Sequence, residues 1–296
     1  VKDKVIEFET GNVLIGSVSR LYMSNKCLLI ADHKSVDKQI HIFNKNDFSY
    51  LTSIGNFGEG PEEITVMGCL AIDEAHHQLY VSDHAKQKIF SYDMDSVMVD
   101  SLYKPQVKTA MNETLFPSEY QYINDTLSIA VLIKPTSTST FNQFLGRWNM
   151  NTGEMIPMKY THPDIQKKRI TFAASEKAGI YVECYTRHDL MTICSLDGEL
   201  LYNIYGPDWD GGNGNKLQSF GTVMIGNDKI FVSYCGEDYA RDSFPTKILV
   251  FDLEGNYLKT LETGYKISDC CYDSFNNRII LSLNDVVQFA YLDIDG

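Results

Sequence analysis

Apolar positions along this chain fall in short runs bounded by turn residues, and a helical period is nearly absent. Runs of this kind predict an all-β chain. The runs repeat: LLIADHK (28–34), LYVSDHAK (79–86), LSIAVLIK (127–134), GIYVECYTR (179–187), KIFVSYCGED (229–238) and RIILSLND (278–285) share one pattern. Their equivalent central positions are Ala31, Ser82, Ala130, Glu183, Ser233 and Ser282, with spacings of 51, 48, 53, 50 and 49 residues. A period near 50 held through six copies is the signature of a repeat architecture.

Each copy continues in the same way. A further strand-like run follows (QIHIFNK, KIFSYDM, FLGRWNM, LMTICSL, KILVFDL, VVQFAYLDI), then a turn rich in Asn, Asp and Gly, then a last run such as SYLTSI, VMVDSLY or ELLYNIY. Asn, Asp and Gly suit tight turns because they tolerate positive φ or bond their own backbone. A first run ending in its own turn, as in LAIDEAHHQ and CCYDSFNNR, precedes each copy. The unit is a four-stranded antiparallel meander, and six of them predict a six-bladed β-propeller in one domain. The blades are expected at about 15–64, 65–114, 115–168, 169–218, 219–264 and 265–296, the last completed by KVIEFE at 4–9. Supplying the missing strand from the N-terminus leaves no open sheet edge.

Composition narrows the partners. The net charge of −13 opposes a phosphate backbone or an anionic membrane surface. The one dense basic run, Gln166-Lys167-Lys168-Arg169, reads as a solvated turn, so no nucleic-acid partner is expected. The longest apolar run, LSIAVLI at 127–133, has strand length, so no transmembrane segment is expected. The seven cysteines form no C-x-x-C pair and lie mostly inside strand patterns. They read as small buried hydrophobes, and Cys270 and Cys271 should point to opposite faces of one strand.

The stretch GNFGEGPEEI (55–64) followed by LAIDEAHHQLYVSDHAKQKIFSYD resembles an NHL-type repeat: a Gly-rich connector, a strand ending in Asp, a Tyr-Val-x-Asp strand, a basic turn and an Ile-x-x-Tyr strand. The whole chain resembles the NHL-like or TolB-like six-bladed propellers of exported bacterial proteins and lipoproteins. The signature is clear over 26–95; in the later copies the Asp position holds Val131, Cys184, Tyr234 and Leu283. The resemblance implies a periplasmic or cell-surface location, with a lipid anchor on a removed leader as one form and a cytoplasmic location as the alternative; a monomer is expected. It leaves function open, because this architecture hosts both enzymes and binding modules.

In the family, ligands sit on the face that carries the loops from strand two to three and from strand four to the next blade. On that face GNFGEGPEEI reads as an interblade connector, since a phosphate cradle needs a helix after its glycines. YGPDWDGGNGN (205–215) offers Trp209 as a ring platform and Asp208 and Asp210 as oxygen ligands for calcium, although its glycines do not follow the calcium-loop spacing. GEDYARDSFPTK (236–247) offers Tyr239 and Arg241, and GIYVECYTR ends on Arg187; these are candidates for contact with a protein, saccharide or peptide. Asp32-His33 and Asp83-His84 occupy equivalent places and could hold zinc or supply a general base. The expectation is a binding module without a cofactor; the alternative is a metal-assisted hydrolase or lyase using the two histidines.

Overall fold

A computed structural model of the chain describes residues 1–214 and 216–295. The fold is a six-bladed β-propeller of four-stranded antiparallel blades. Strand β1 (Ile6–Glu7) precedes two series of blades. The first series comprises β2 (Arg20–Met23), β3 (Cys27–Ala31), β4 (Lys38–Asn44) and β5 (Tyr50–Asn56); β6 (Met67–Asp73), β7 (Gln78–Asp83), β8 (Lys88–Asp93) and β9 (Gln106–Ala110); and β10 (Phe116–Asn124), β11 (Leu127–Pro135), β12 (Phe141–Trp148) and β13 (Met155–Pro157). These blades form one compact unit, Thr10–Pro157.

The second series comprises β14 (Ile170–Ser175), β15 (Ile180–Tyr185), β16 (Leu190–Ser195) and β17 (Leu200–Tyr205); β18 (Leu217–Gly226), β19 (Lys229–Asp238), β20 (Lys247–Asp252) and β21 (Tyr257–Glu262); and β22 (Ile267–Asp273), β23 (Arg278–Leu283) and β24 (Phe289–Asp293). With Val1–Glu9 they form the other compact unit. Here β1 pairs antiparallel with β24, Ile6 opposite Tyr291, and supplies the fourth strand of the last blade as the N-terminal run predicts. Phe8 stacks on Phe289 with ring centroids 5.9 Å apart.

The second and third strands of a blade are covered on both faces, and their sequences show it. Every residue of β3, β15 and β23 is buried, whereas the fourth strand β17 has no buried residue and β5 has two. The six repeat positions Ala31, Ser82, Ala130, Glu183, Ser233 and Ser282 are all buried. Apolar clusters form between successive blades: Leu29, Ile42, Leu70 and Phe90 in one, Ile230, Val232, Val182 and Ile193 in another. All seven cysteines are free and buried. Burial pushes the Cys69 thiol up to about 12, so these thiols behave as hydrophobes.

Two local expectations are corrected. The run VMVDSLY does not form the fourth strand of blade two. A short helix, α1 (Met94–Val97), follows β8, and the strand comes later as β9. The Ser96 hydroxyl donates to the Asp93 carboxylate at 2.6 Å, the Asp93 amide donates to the Tyr103 hydroxyl at 2.9 Å, and Val97 is buried while Val99 and Leu102 are exposed. The apolar residues there follow a helical turn rather than strand alternation.

The basic run at 166–169 is not wholly solvated. Lys168 is 9% exposed and its Nζ lies 2.8 Å from Glu183 Oε1, itself 2% exposed. Tyr185 donates to the other Glu183 oxygen at 3.3 Å. Glu183 is the one charged residue at the repeat position, and the lysine from the preceding connector compensates it.

GNFGEGPEEI is a connector, as expected. Its glycines make room for an internal carboxylate: Gly60 N–H donates to Glu63 Oε1 at 2.9 Å, and a Cβ on Gly58 would come 2.4 Å from the same oxygen.

Removing one partner of a buried ion pair leaves an uncompensated charge, which costs about 3–5 kcal/mol. Lys168→Ala is therefore expected to lower unfolding free energy by about that amount, and the double variant Lys168→Met/Glu183→Leu to regain most of it. Urea denaturation of the two variants checks this; equal losses in both would show that the pair is not the cause.

Candidate functional site

The loop-bearing end of the unit Met158–Gly296 holds a cleft of about 320 Å³. Its floor is apolar, from Phe220, Phe244, Pro245 and Ile267, and its rim carries Arg187 and Tyr239. Three features of the chain open it. Strands β18 and β19 are long, and their pairing is irregular between Gln218 and Val223. Gly221 sits in that irregularity, where a Cβ would come 2.4 Å from Ser233 Oγ. Such a bulge re-aims side chains at a strand end. Thr222 is then fixed by its amide on Ser233 Oγ (2.9 Å) and by its hydroxyl on Asp269 (2.8 Å).

The loop after β19 turns through a 3-10 segment, Tyr239–Arg241, whose preceding Asp238 accepts the Ala240 amide at 2.9 Å. The Tyr239 amide donates to Lys216 O at 2.8 Å, and these contacts hold the phenol ring at the rim. The Arg187 guanidinium carbon lies 3.3 Å from the Tyr239 ring centroid, a cation–π contact. Burial and the neighbouring Arg187 charge together lower the pKa of Arg169. Among the described residues no carboxylate forms an ion pair with Arg187. Gln218 Oε1, on the same wall, is buried without a hydrogen-bond partner. The cleft therefore offers a cation, a ring face, an amide and an apolar floor.

Arg187 and Tyr239 are brought together, and Arg241 is not with them: it is exposed and pairs with Glu237 at 3.2 Å. Trp209 packs among rings, with centroids 5.0 Å from Tyr205, 5.3 Å from His162 and 6.1 Å from His188. Its loop is tied down by Asp189, a residue that sequence reasoning passed over. Asp189 is 2% exposed and accepts the Asp208 amide at 2.9 Å and the Tyr234 hydroxyl at 3.0 Å. The Asp210 carboxylate accepts the Gly214 amide at 2.7 Å. Asn215, the last residue of that loop in the sequence, lies outside the described residues.

His33 and His84 flank Gly68 in the other unit. His33 Nε2 is 3.1 Å from Gly68 O, and the His84 ring lies so close that a Cβ on Gly68 would meet its Nε2 at 2.3 Å. The His84 ring also packs on Phe116 at 5.7 Å, and burial lowers its pKa. The accompanying carboxylates are occupied by backbone. Asp32 accepts the amides of Gly16 (2.9 Å) and Lys34 (3.1 Å). Asp83 accepts those of Thr65 (2.9 Å), Val66 (3.1 Å) and Ala85 (3.0 Å), with Lys86 Nζ at 3.2 Å. Among the described residues no third carboxylate, histidine or cysteine joins the two histidines in a ligand set.

A family model described as DUF5128, 6-bladed β-propeller, matches residues 4–144. A comparison with curated proteins gives no match. Among solved structures, a member of the DUF4221 family from Bacteroides vulgatus is similar at TM-score 0.64 and 10% identity, covering 98% of this chain and 95% of its own. The β-propeller domain of Cps50 (Swd1) from Myceliophteria thermophila is similar at TM-score 0.59 and 10% identity, covering 97% and 99%. A Bacteroides fragilis protein named as exported is similar at TM-score 0.58 and 14% identity, covering 94% and 82%. Identities this low carry the fold and no more, and the fold they carry is the six-bladed propeller.

The Asp83 carboxylate gives this face a pH dependence. Burial alone would raise its pKa, but the amides of Thr65, Val66 and Lys86 and the Lys86 ammonium outweigh burial and hold it below the usual aspartate range. A carboxyl held low in the folded state contributes stability that is present at neutral pH and is lost as pH falls through and below about 3.9. Asp83→Asn is expected to destabilise clearly at pH 7 and progressively less below pH about 4. Denaturant midpoints across that range check the convergence; a constant gap would assign the loss to packing.

Proposed function

We propose that this chain is an exported bacterial propeller of the NHL-like or TolB-like kind that works by binding a carboxylate-bearing ligand, a saccharide acid or an acidic peptide, at the Arg187–Tyr239 cleft. The observation that carries the reading is the Arg187 guanidinium lying 3.3 Å over the Tyr239 ring at the rim of an apolar cleft, with no carboxylate of its own among the described residues. A planar guanidinium takes a carboxylate through two parallel N–H···O bonds. Tyr239 and Phe244 offer flat surfaces to a sugar ring or an apolar side chain, and the buried Gln218 Oε1 accepts from a ligand hydroxyl or amide. The net charge of −13 does not forbid an anion here, because surface charges beyond a Debye length of about 8 Å are largely screened at physiological salt. Export is supported by the name of the Bacteroides fragilis neighbour.

Titration calorimetry with galacturonate oligomers and with Glu-rich peptides, each beside its neutral amide, tests the reading and separates the two sources. One acidic series is expected to bind, its neutral counterpart not, with affinity falling at least tenfold in Arg187→Ala and also in Tyr239→Ala. Equal binding of neutral and acidic ligands, an unaffected Arg187→Ala, or no binding by either series would overturn it.

A further inference from the structure

At the other end of β7 from Asp83 and His84, two hairpins of the unit Thr10–Pro157 bring together Asp73, His76 and Asp125. Asp73 ends β6, His76 lies in the turn before β7, and Asp125 is in the turn between β10 and β11. Each residue offers one ligand atom, and the three atoms lie within 4.8 Å of one another. We infer that Asp73, His76 and Asp125 form a zinc site that joins the first hairpins of blades two and three.

The carboxylates are oriented from behind. Asp73 is 1% exposed and its Oδ2 accepts the Tyr80 hydroxyl at 2.7 Å. Asp125 Oδ1 accepts the Tyr122 hydroxyl at 2.5 Å, and the two tyrosine rings meet edge to face at 5.2 Å. Such outer donors fix ligating carboxylates and leave their free lone pairs facing the metal. Lys108 Nζ also lies 3.4 Å from Asp125 Oδ1.

The donor set fits zinc better than a harder ion. One imidazole nitrogen and two carboxylate oxygens is a mixed N/O set of the kind zinc takes at about 2.0–2.2 Å. A tetrahedral ion with those bonds separates its ligands by about 3.3 Å. His76 Nδ1 stands 2.8 Å from Asp73 Oδ2, and its side chain is 60% exposed, so a small outward shift of the ring makes the opening. An open cleft of about 310 Å³ adjoins the three residues and leaves a fourth position to water.

The last blade supplies an internal comparison. Its first hairpin, YDSFNNR, has the same turn on Asp273. There the carboxylate accepts the Asn276 side-chain amide at 2.7 Å and Arg278 Nε at 3.3 Å. The aspartate by itself is a device for closing the turn. Blade two puts His76 in place of the asparagine and Gln78 in place of the arginine, and adds Asp125 from the next hairpin. The arginine of the last blade is replaced, a second carboxylate and an imidazole are introduced, and the cation beside them is Lys108, on β9.

Protein stripped with chelator and titrated with zinc against a chromogenic zinc indicator tests the site. One zinc per chain is expected, with a raised thermal midpoint. Affinity should fall at least tenfold in His76→Gln and in Asp125→Asn, surface positions at which the hairpins still close, and remain unchanged in His84→Ala. No stoichiometric zinc, zinc retained in His76→Gln, or loss confined to His84→Ala would overturn the assignment. Calcium or magnesium binding in preference to zinc would overturn it as well.

Discussion

A four-stranded meander has two faces and cannot cover either by itself. Everything else in this structure follows from the need to cover both faces of the second and third strands with neighbouring blades. That is why β3, β15 and β23 are buried at every residue, and why the fourth strands, which face solvent, tolerate polar residues. It also explains why the period holds near 50 while sequence similarity among the repeats fades. Each blade must present the same span of strand to its neighbour, but any close-packed set of apolar side chains serves. Even the cysteines are used in this way, as small buried groups rather than as cross-links.

Several of the chain's carboxylates are structural. Asp32, Asp83 and Asp189 sit at the loop-bearing ends of their blades and accept backbone amides from the connectors. Asp73 and Asp273 do the same in the first hairpins, and Glu63 does so inside the Gly-rich connector. Loops of this length leave amides unpaired, and a short carboxylate satisfies several at once. The net charge of −13 is thus a poor description of the surface a ligand meets. Cations not spoken for are the informative groups, and the stacked Arg187 is one.

The strand pattern was legible because a buried strand announces itself in β-branched and aromatic residues. The second and third strands lie where their runs predict, with ends displaced by up to about three residues, and of residues 4–9 Ile6 and Glu7 pair with the last blade. The fourth strand of blade two does not lie where its run predicts. Val97, Met98 and Val99 read as a strand, but Ser96 closes onto Asp93 and only Val97 turns inward. Short apolar runs do not distinguish a helical turn from a strand. The 166–169 run was misread as solvated because the partner of Lys168, Glu183, lies on another element.

Sequence by itself determined the architecture: repeat length, strand order within a blade, and the loops that gather at one end. Those are local or periodic properties, carried by residues close together in the chain. What only the tertiary structure decided is which polar residues meet. Arg187 and Tyr239 stand far apart in sequence and in contact in space, and His76 and Asp125, also far apart in sequence, bring ligand atoms within 4.8 Å of one another. His33 and His84, alike by pattern, have different surroundings: His33 Nε2 is 3.1 Å from Gly68 O, while the His84 ring fills the space beside Gly68 that a Cβ would take. Convergence of side chains depends on how successive blades twist and pack against each other, and no single blade encodes that.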